Sequence, residues 1–365
     1  MIVLNKLLNV ETLEQLIADG YISRKFHSKF PLAILNYSHK ANFDPNLIWG
    51  NELNFCRGLI YNTETLEIVS RPFSKFWNIN DTRHPETMEE NLPNDIPLIT
   101  SKMDGSMGVF YHWDGVNYIA TRGSFESDQS NWANEWLHKN YPNLILPKNY
   151  TLLSEILFKS NRIVVEYDFE GLVILGAVHK ETGQELSRQN LVDYCDITNL
   201  NIVQDHTKSL SECVSEDLPN FEGYVLTYSN GLKVKIKELT YCTLHKIITG
   251  LNPKAIWELK RDGKNETIDS WLNDKIMPIE FKNWLNKWDD QLSNDFYKIL
   301  MTAESIFNKQ PKTNSRKEIA TYFLQGENKE YSSILFGLLD GKDVSQTIWR
   351  MIEPKFNDVF REDGE

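Results

Sequence analysis

The sequence predicts an α+β fold in which an antiparallel-sheet region is followed by an all-helical region. Three observations predict it. Asp114-Gly115 and Asn230-Gly231 each sit between alternating apolar segments, a strong short-range signal for a hairpin. Lys233, Lys235 and Lys237 alternate with Leu232, Val234 and Ile236, the period of two expected of a strand with one polar face. After about Leu239 the period lengthens to near 3.6: Leu285, Trp288, Leu292, Phe296, Ile299, Ala303 and Ile306 fall on one face of a long helix, with Pro311 just past its end.

Taken in order, residues 10–17 read as a first helix. Strands over 59–61 and 68–70 follow, joined across Asn62-Thr63-Glu64-Thr65. Three more hairpins are expected: 107–111 with 118–121, 163–167 with 172–178 across Asp168-Phe169-Glu170-Gly171, and 224–228 with 233–237. Shorter helices are expected at 319–324, 334–339 and 348–352. The change of period sets the domain boundary near 250, giving domains 1–250 and 251–365.

The chain has 365 residues, enough for a large domain plus a smaller one, and its composition is that of an ordinary globular protein. A net charge of −12 argues against indiscriminate nucleic-acid binding, so any polyanion has to meet a local basic patch. No apolar stretch approaches the ~20 residues of a membrane-spanning helix, and the first residues lack a signal-peptide pattern. A cytoplasmic protein without membrane contact is expected. Cys56, Cys195, Cys213 and Cys242 are scattered without a CxxC pair, which reads as buried thiols rather than a zinc site. The absence of GxxxxGK[ST] removes the phosphate-loop ATPases.

The chemistry concentrates on Lys102 in Ser101-Lys102-Met103-Asp104-Gly105-Ser106. A lysine attacks phosphorus only as the free amine, so its pKa is expected to fall from ~10.4 towards neutrality through burial or neighbouring cations. Lys-x-Asp-Gly alone fits a solvated turn equally well, and a row of lysines also fits a solvated strand face. Yet Glu222-Gly223-Tyr224-Val225 opens the strand that pairs with the lysine row, bringing a carboxylate beside it. Glu155 lies within the apolar run Leu152-Leu153-Ser154-Glu155-Ile156-Leu157-Phe158, where an unpaired carboxylate is costly, and this implies a partner such as an Mg2+-bound water or a ribose hydroxyl.

The ordered series Lys102-x-Asp104-Gly105, Arg122-Gly123-Ser124, Glu155, Glu222-Gly223-Tyr224-Val225 and Lys235-x-Lys237 resembles motifs I, Ia, III, IV and V of the covalent nucleotidyltransferases. Within that superfamily the chain is similar to the RNA ligase 1 family of tailed bacteriophages. Asn36-Tyr37, Cys56-Arg57-Gly58, Arg71-Pro72-Phe73-Ser74-Lys75-Phe76, Ser160-Asn161-Arg162, Tyr241 with Leu244-His245, and Trp349-Arg350-Met351-Ile352-Glu353-Pro354 extend the likeness over nearly the whole chain. Helical periodicity after motif V also departs from the small β-barrel usual in DNA ligases and capping enzymes. Arg122 stands where these ligases often carry Lys, and its forked guanidinium has a different contact geometry.

The resemblance implies an adenylation domain, nucleotidyltransferase or ATP-grasp-like, followed by a helical module that recognises broken tRNA. It implies an ATP-dependent RNA ligase with AMP carried on Lys102, and catalytic roles for Lys102, Glu155, Glu222, Lys235 and Lys237. ATP contacts are implied at these lysines, Glu155, Tyr37, Arg57, Lys75, Asp104, Arg122 and Tyr241. Mg2+ or Mn2+ is implied near Glu155 and Glu222, with Glu266 as a further acidic position that also reads as a solvated surface residue. The partner is RNA with 5′-phosphate and 3′-hydroxyl ends, joined by a monomer that cooperates functionally with an end-healing kinase/phosphatase, in the cytoplasm and, for a phage-encoded protein, the host bacterial cytoplasm. Other readings are a DNA-joining or capping acceptor within the same superfamily, and a non-catalytic RNA-binding relative.

Overall fold

A computed structural model describes residues 2–355. Residue contacts divide the chain into two units, the first running to Cys242 and the second starting at Thr243. This division falls within the helix Leu239–Gly250, just after the change of period at about Leu239 and several residues before the boundary expected near 250.

Fourteen strands build the first unit among the described residues. They are β1 (Ile22–Phe26), β2 (Leu32–Tyr37), β3 (Arg57–Asn62), β4 (Ile68–Ser70), β5 (Trp77–Asn78), β6 (Leu98–Ser101) and β7 (Ser106–Trp113). There follow β8 (Val116–Thr121), β9 (Tyr150–Leu157), β10 (Gly171–His179), β11 (Asn201–Ile202), β12 (Asp205–His206), β13 (Gly223–Thr227) and β14 (Lys233–Lys237). They form three sheets in the orders β1-β2-β3-β4, β11-β10-β9-β7-β8 and β12-β6-β13-β14-β5. Pairing is antiparallel except for β10 with β11 and β14 with β5, so the α+β expectation holds.

The period of two decides which face each side chain joins. In β2, Ala33, Leu35 and Tyr37 pack with Leu13 of the helix Val10–Ala18, while Leu32 and Ile34 pack with Val109, Tyr111 and Leu153 of the second sheet. The opposite face of that second sheet, with Phe110, Leu152, Ile156 and Ile174, is covered by Ala133 and Leu137 of the helix Asp128–Asn140 and by Leu191 and Cys195 of the helix Arg188–Thr198. A sheet covered on both sides is apolar in nearly every position, as the run around Glu155 is. In the third sheet Tyr224, Leu226, Val234 and Ile236 share one core. This leaves Lys233, Lys235 and Lys237 together on the other face of β14.

Three of the four expected hairpins form, namely β3–β4, β7–β8 and β13–β14. The fourth does not. Residues 163–167 are not a strand, and β10 pairs with β9 instead. The reason is where the backbone donors go: Val164 and Val165 N–H both donate to Asp104 Oδ2 at 2.8 Å, and Glu166 N–H donates to Asn220 Oδ1 at 2.6 Å. With those groups satisfied by side chains, no ladder partner is needed. The helices Asp128–Asn140 and Arg188–Thr198 interrupt a region read as strands, and each starts at a serine N-cap, Ser127 and Ser187. Of the four cysteines, Cys56, Cys195 and Cys213 are buried as expected, whereas Cys242 is exposed.

The second unit is helical. Its spine is the helix Ile279–Asn308, a length of about 45 Å at 1.5 Å per residue. Ala303 on that helix joins Ile319, Phe323, Ile334, Leu335 and Ile348 from the helices Arg316–Phe323, Ser332–Leu339 and Ser345–Met351 in a common core. Trp257 Nε1 donates to the carbonyl of Trp349 at 2.8 Å, closing the first helices of this unit against the last. Trp271, Trp284 and Trp288 are all half-buried.

Gly223 is the tightest backbone position in the third sheet. Its φ is +138° and an added Cβ would lie 2.0 Å from the carbonyl oxygen of Ile236. Gly223→Ala is therefore expected to cost more than about 2 kcal/mol. Urea unfolding monitored by tryptophan fluorescence would show this, and a midpoint equal to the wild type would contradict it.

Candidate active site

Strand β6 ends at Ser101, and the next residue, Lys102, donates its backbone N–H to the carbonyl of Gly223 at 2.8 Å. That bond sets the turn after β6 against the start of β13. Glu222, immediately before Gly223, consequently meets the lysine: Lys102 Nζ lies 2.6 Å from Glu222 Oε1. In the β13–β14 register Gly223 is opposite Lys237, whose Nζ reaches the same oxygen at 3.1 Å. Glu222 is 3% exposed, and its Oε2 is buried with no hydrogen-bond partner among the described residues.

Glu155 rises from β9 on the face of Leu153 and Leu157. Its Oε1 accepts the N–H of Gly105 at 3.0 Å, so the backbone supplies a partner for this buried carboxylate. Gly105 is required here because a Cβ would meet the carbonyl oxygen of Ile156 at 2.6 Å. Burial, reinforced by Glu222 and Asp104 and offset in part by Lys102 and Arg57, pushes the Glu155 carboxyl up to about 8. Asp104 is equally buried. It accepts from Val164 N, Val165 N and Tyr241 Oη, each at 2.8 Å, and its own N–H donates to Tyr167 Oη at 2.8 Å.

A second cluster gathers cations. Lys75 Nζ and Arg122 Nη1 both donate to Tyr37 Oη, at 3.0 and 2.9 Å. Burial raises the Tyr37 phenol, but Arg122, Arg57 and Lys75 together bring it down to about 8. The Lys75 ammonium also stands 4.3 Å from the Tyr37 ring centre and 4.7 Å from that of Trp77, and it donates to Asn42 Oδ1 at 2.9 Å. Arg57 and Lys235 lie over the ring of Phe76 at 5.3 and 5.7 Å. Lys235 links the two clusters: burial and the neighbouring Lys102, Lys75, Lys237 and Arg57 all depress its pKa far below the ordinary lysine value.

The direction at Lys102 is the reverse of the expectation. Burial pulls its pKa down, but Glu222, Glu155 and Asp104 outweigh it, and the ammonium is held above its usual pKa. The cation whose pKa falls is Lys235. Lys102, Glu155, Glu222, Lys235, Lys237, Asp104 and Tyr241 thus come together, as do Tyr37, Arg57, Lys75 and Arg122. Glu266 belongs to the second unit, where it is exposed in the first turn of the helix Asn265–Asn273. Among the described residues no group of three or more His, Cys, Asp or Glu is placed to hold a metal. Tyr167, Asn42, Trp77 and Phe76 are contacts that the sequence reading missed. Trp77 and Phe76 flank Lys75 closely enough that a run of aromatics around a cation was available as a signal.

A model of a family described as RNA ligase, of the T4 ligase 1 type, matches residues 55–241. A putative RNA ligase of Thermovibrio ammonificans is 28% identical over 207 residues, covering 54% of this chain and 54% of that protein. A putative bifunctional polynucleotide kinase/RNA ligase of Autographa californica nuclear polyhedrosis virus is 27% identical over 279 residues, 66% of this chain and 38% of that protein. An RNA ligase of Rhodothermus phage RM378 is 21% identical over 362 residues, 79% of this chain and 81% of that protein. The match thus spans about half the length, or less, of the first two of these relatives. Among solved structures, Naegleria gruberi RNA ligase with PPi aligns with a TM-score of 0.34 and 18% identity, over 41% of this chain and 51% of that one.

The raised Glu155 carboxyl has a consequence for stability. The unfolded chain ionises this group near 4.5 and the fold holds its proton to about 8. Its contribution is therefore full below 4.5 and is lost as pH rises towards 8. Urea unfolding at pH 5, 6.5 and 8 is expected to show a smaller loss in Glu155→Gln than in the wild type. Parallel losses in the two proteins would mean that Glu155 is not the titrating group.

Proposed function

The chain belongs to the T4 RNA ligase 1 family, and from that membership we propose that it is an ATP-dependent RNA ligase acting through a lysyl-adenylate on Lys102. The observation that carries this reading is Lys102 Nζ held 2.6 Å from the buried Glu222, beside the lysine row of β14. A lysine placed to serve as nucleophile, a carboxylate that orients it and a wall of phosphate-binding cations are what the first step requires.

In that step Lys102 Nζ, once its proton has passed to solvent, attacks the α-phosphorus of ATP. The bond to the bridging oxygen breaks, and pyrophosphate leaves with the electron pair. Lys235 and Lys237 stabilise the charge that develops on the phosphates. Arg57, Lys75, Tyr37 and Arg122 hold the β and γ groups, and Glu155, protonated at neutral pH, offers a hydrogen bond to the ribose. The unpartnered Glu222 Oε2 fits a hydrated divalent cation, which when bound supplies further neutralisation of phosphate charge. AMP then passes to an RNA 5′-phosphate, and a 3′-hydroxyl displaces it to seal the strand.

Broken tRNA is the proposed substrate, with the helical second unit as its recognition module. The baculovirus relative's name joins a polynucleotide kinase to an RNA ligase, which supports end healing before sealing. A monomer acting in a host bacterial cytoplasm completes the reading.

Intact mass after incubation with ATP and Mg2+ is expected to show an AMP adduct that maps to Lys102 and is lost in Lys102→Ala. Lys235→Ala is expected to slow its formation by about 10²- to 10³-fold, the cost of removing one donor from a charge-stabilising site. Folded wild-type protein that binds ATP yet carries no adduct would remove the reading.

A further inference from the structure

The lysine row of β14 has three members, and the mechanism above uses two. Lys233 Nζ lies 2.9 Å from Glu185 Oε2, donates to Thr227 Oγ1 at 2.8 Å and stands 4.7 Å from the ring centre of Phe73. It borders a cavity of about 210 Å³ that is also lined by Arg71, Lys75, Phe76, Trp77, Glu86 and Glu185. This cavity lies outside the Lys102 site, since none of Lys102, Glu155, Glu222 or Lys237 lines it. Lys75 lines the cavity and also belongs to the cation cluster with Tyr37 and Arg122, so the two spaces share a wall.

We propose that this cavity receives the pyrophosphate released when Lys102 is adenylylated, with Lys233 as its principal contact. The proposal rests on the ligase reading. Side chains two residues apart on a strand stand roughly 7 Å apart on one face. Lys237, Lys235 and Lys233 are therefore successive stations leading away from Lys102. Pyrophosphate departs from the α-phosphorus, and the only cations ahead of it along β14 are Lys235 and then Lys233. The cavity is smaller than the ~300 to 1,000 Å³ typical of sites for drug-sized ligands, which suits a small anion and not a whole nucleotide. Its cations outnumber its carboxylates, three against two. Arg71 is fixed there by donating to the carbonyl of Glu181 at 2.8 Å and by stacking at 4.8 Å over Phe55.

Glu185 is the competing anion. With the cavity empty it neutralises Lys233, and pyrophosphate takes its place on the ammonium. Removing the Glu185 charge accordingly tightens the site, and removing Lys233 weakens it.

The test is the reverse reaction, in which a pyrophosphate oxygen attacks the α-phosphorus of the lysyl-adenylate, the P–N bond breaks with its electron pair passing to Lys102 Nζ, that nitrogen takes up a proton from solvent, and ATP is released. Adenylylated wild type, Lys233→Met and Glu185→Gln would be mixed with pyrophosphate and Mg2+, and ATP formation measured against pyrophosphate concentration. Half-saturation is expected to rise at least fivefold in Lys233→Met and to fall at least twofold in Glu185→Gln. Glu185→Gln keeps the test decisive should Lys233→Met fail to fold. Half-saturation within twofold of the wild type in Lys233→Met, or unchanged in Glu185→Gln, overturns the proposal. So does an equal rise in the KM for ATP in Lys233→Met, because Lys233 would then hold the bound triphosphate and not the departed product. A wild type that forms no adduct at all overturns the ligase reading instead.

Discussion

Burying Glu222 between two ammonium groups is the constraint around which the first unit is built. Taking a carboxylate and a lysine out of water costs several kcal/mol per ion, which only close pairing and full hydrogen bonding offset. The fold supplies the close pairing, at Glu222 Oε1, through backbone geometry, and leaves Oε2 without a hydrogen-bond partner among the described residues. Gly223 lets β13 pass close to β14, so that Lys237 arrives opposite Gly223 and within reach of Glu222, and the backbone bond from Lys102 to Gly223 brings the Lys102 ammonium to the same oxygen. Nearby Asp104 takes three hydrogen bonds on its carboxylate, and Glu155 keeps its proton. Each negative group in the groove is thus paired, capped or neutral.

Lys235 is treated differently. It faces other cations and has lost much of its affinity for a proton. A site organised this way is short of negative charge in one place, between Lys102 and Lys75. An anion placed there restores Lys235 as a full cation, so binding and protonation reinforce each other. That is preorganised electrostatics, with the cost of gathering like charges met during folding and not at the moment of reaction.

Local features made much of this legible in the sequence. The turns at Asp114-Gly115 and Asn230-Gly231 need no distant partner, and the lysine row follows from the period of two, so hairpins and wall were both readable. The segment 163–167 was not, because its N–H groups are satisfied by Asp104, some sixty residues earlier in the chain. The Lys102 ammonium misled for a related reason. The sequence displays cations in a row, but the convergence of Glu222, Glu155 and Asp104 comes from three separate strand ends and turns. The contact from Arg122 to Tyr37 spans 85 residues and carries no local signal beyond the family likeness.

Asp104 ties three distant pieces of chain into one knot, and the last of them, Tyr241, comes just before the second unit begins. This fixes where the chain can be cut. A shortened version that stops at residue 240 keeps every motif up to Lys237, yet strips a buried carboxylate of one of its three donors. Stopping a few residues later retains the hydroxyl and the knot with it. For anyone dissecting the two halves, or grafting the first onto a different second domain, the safe seam lies on the far side of that tyrosine.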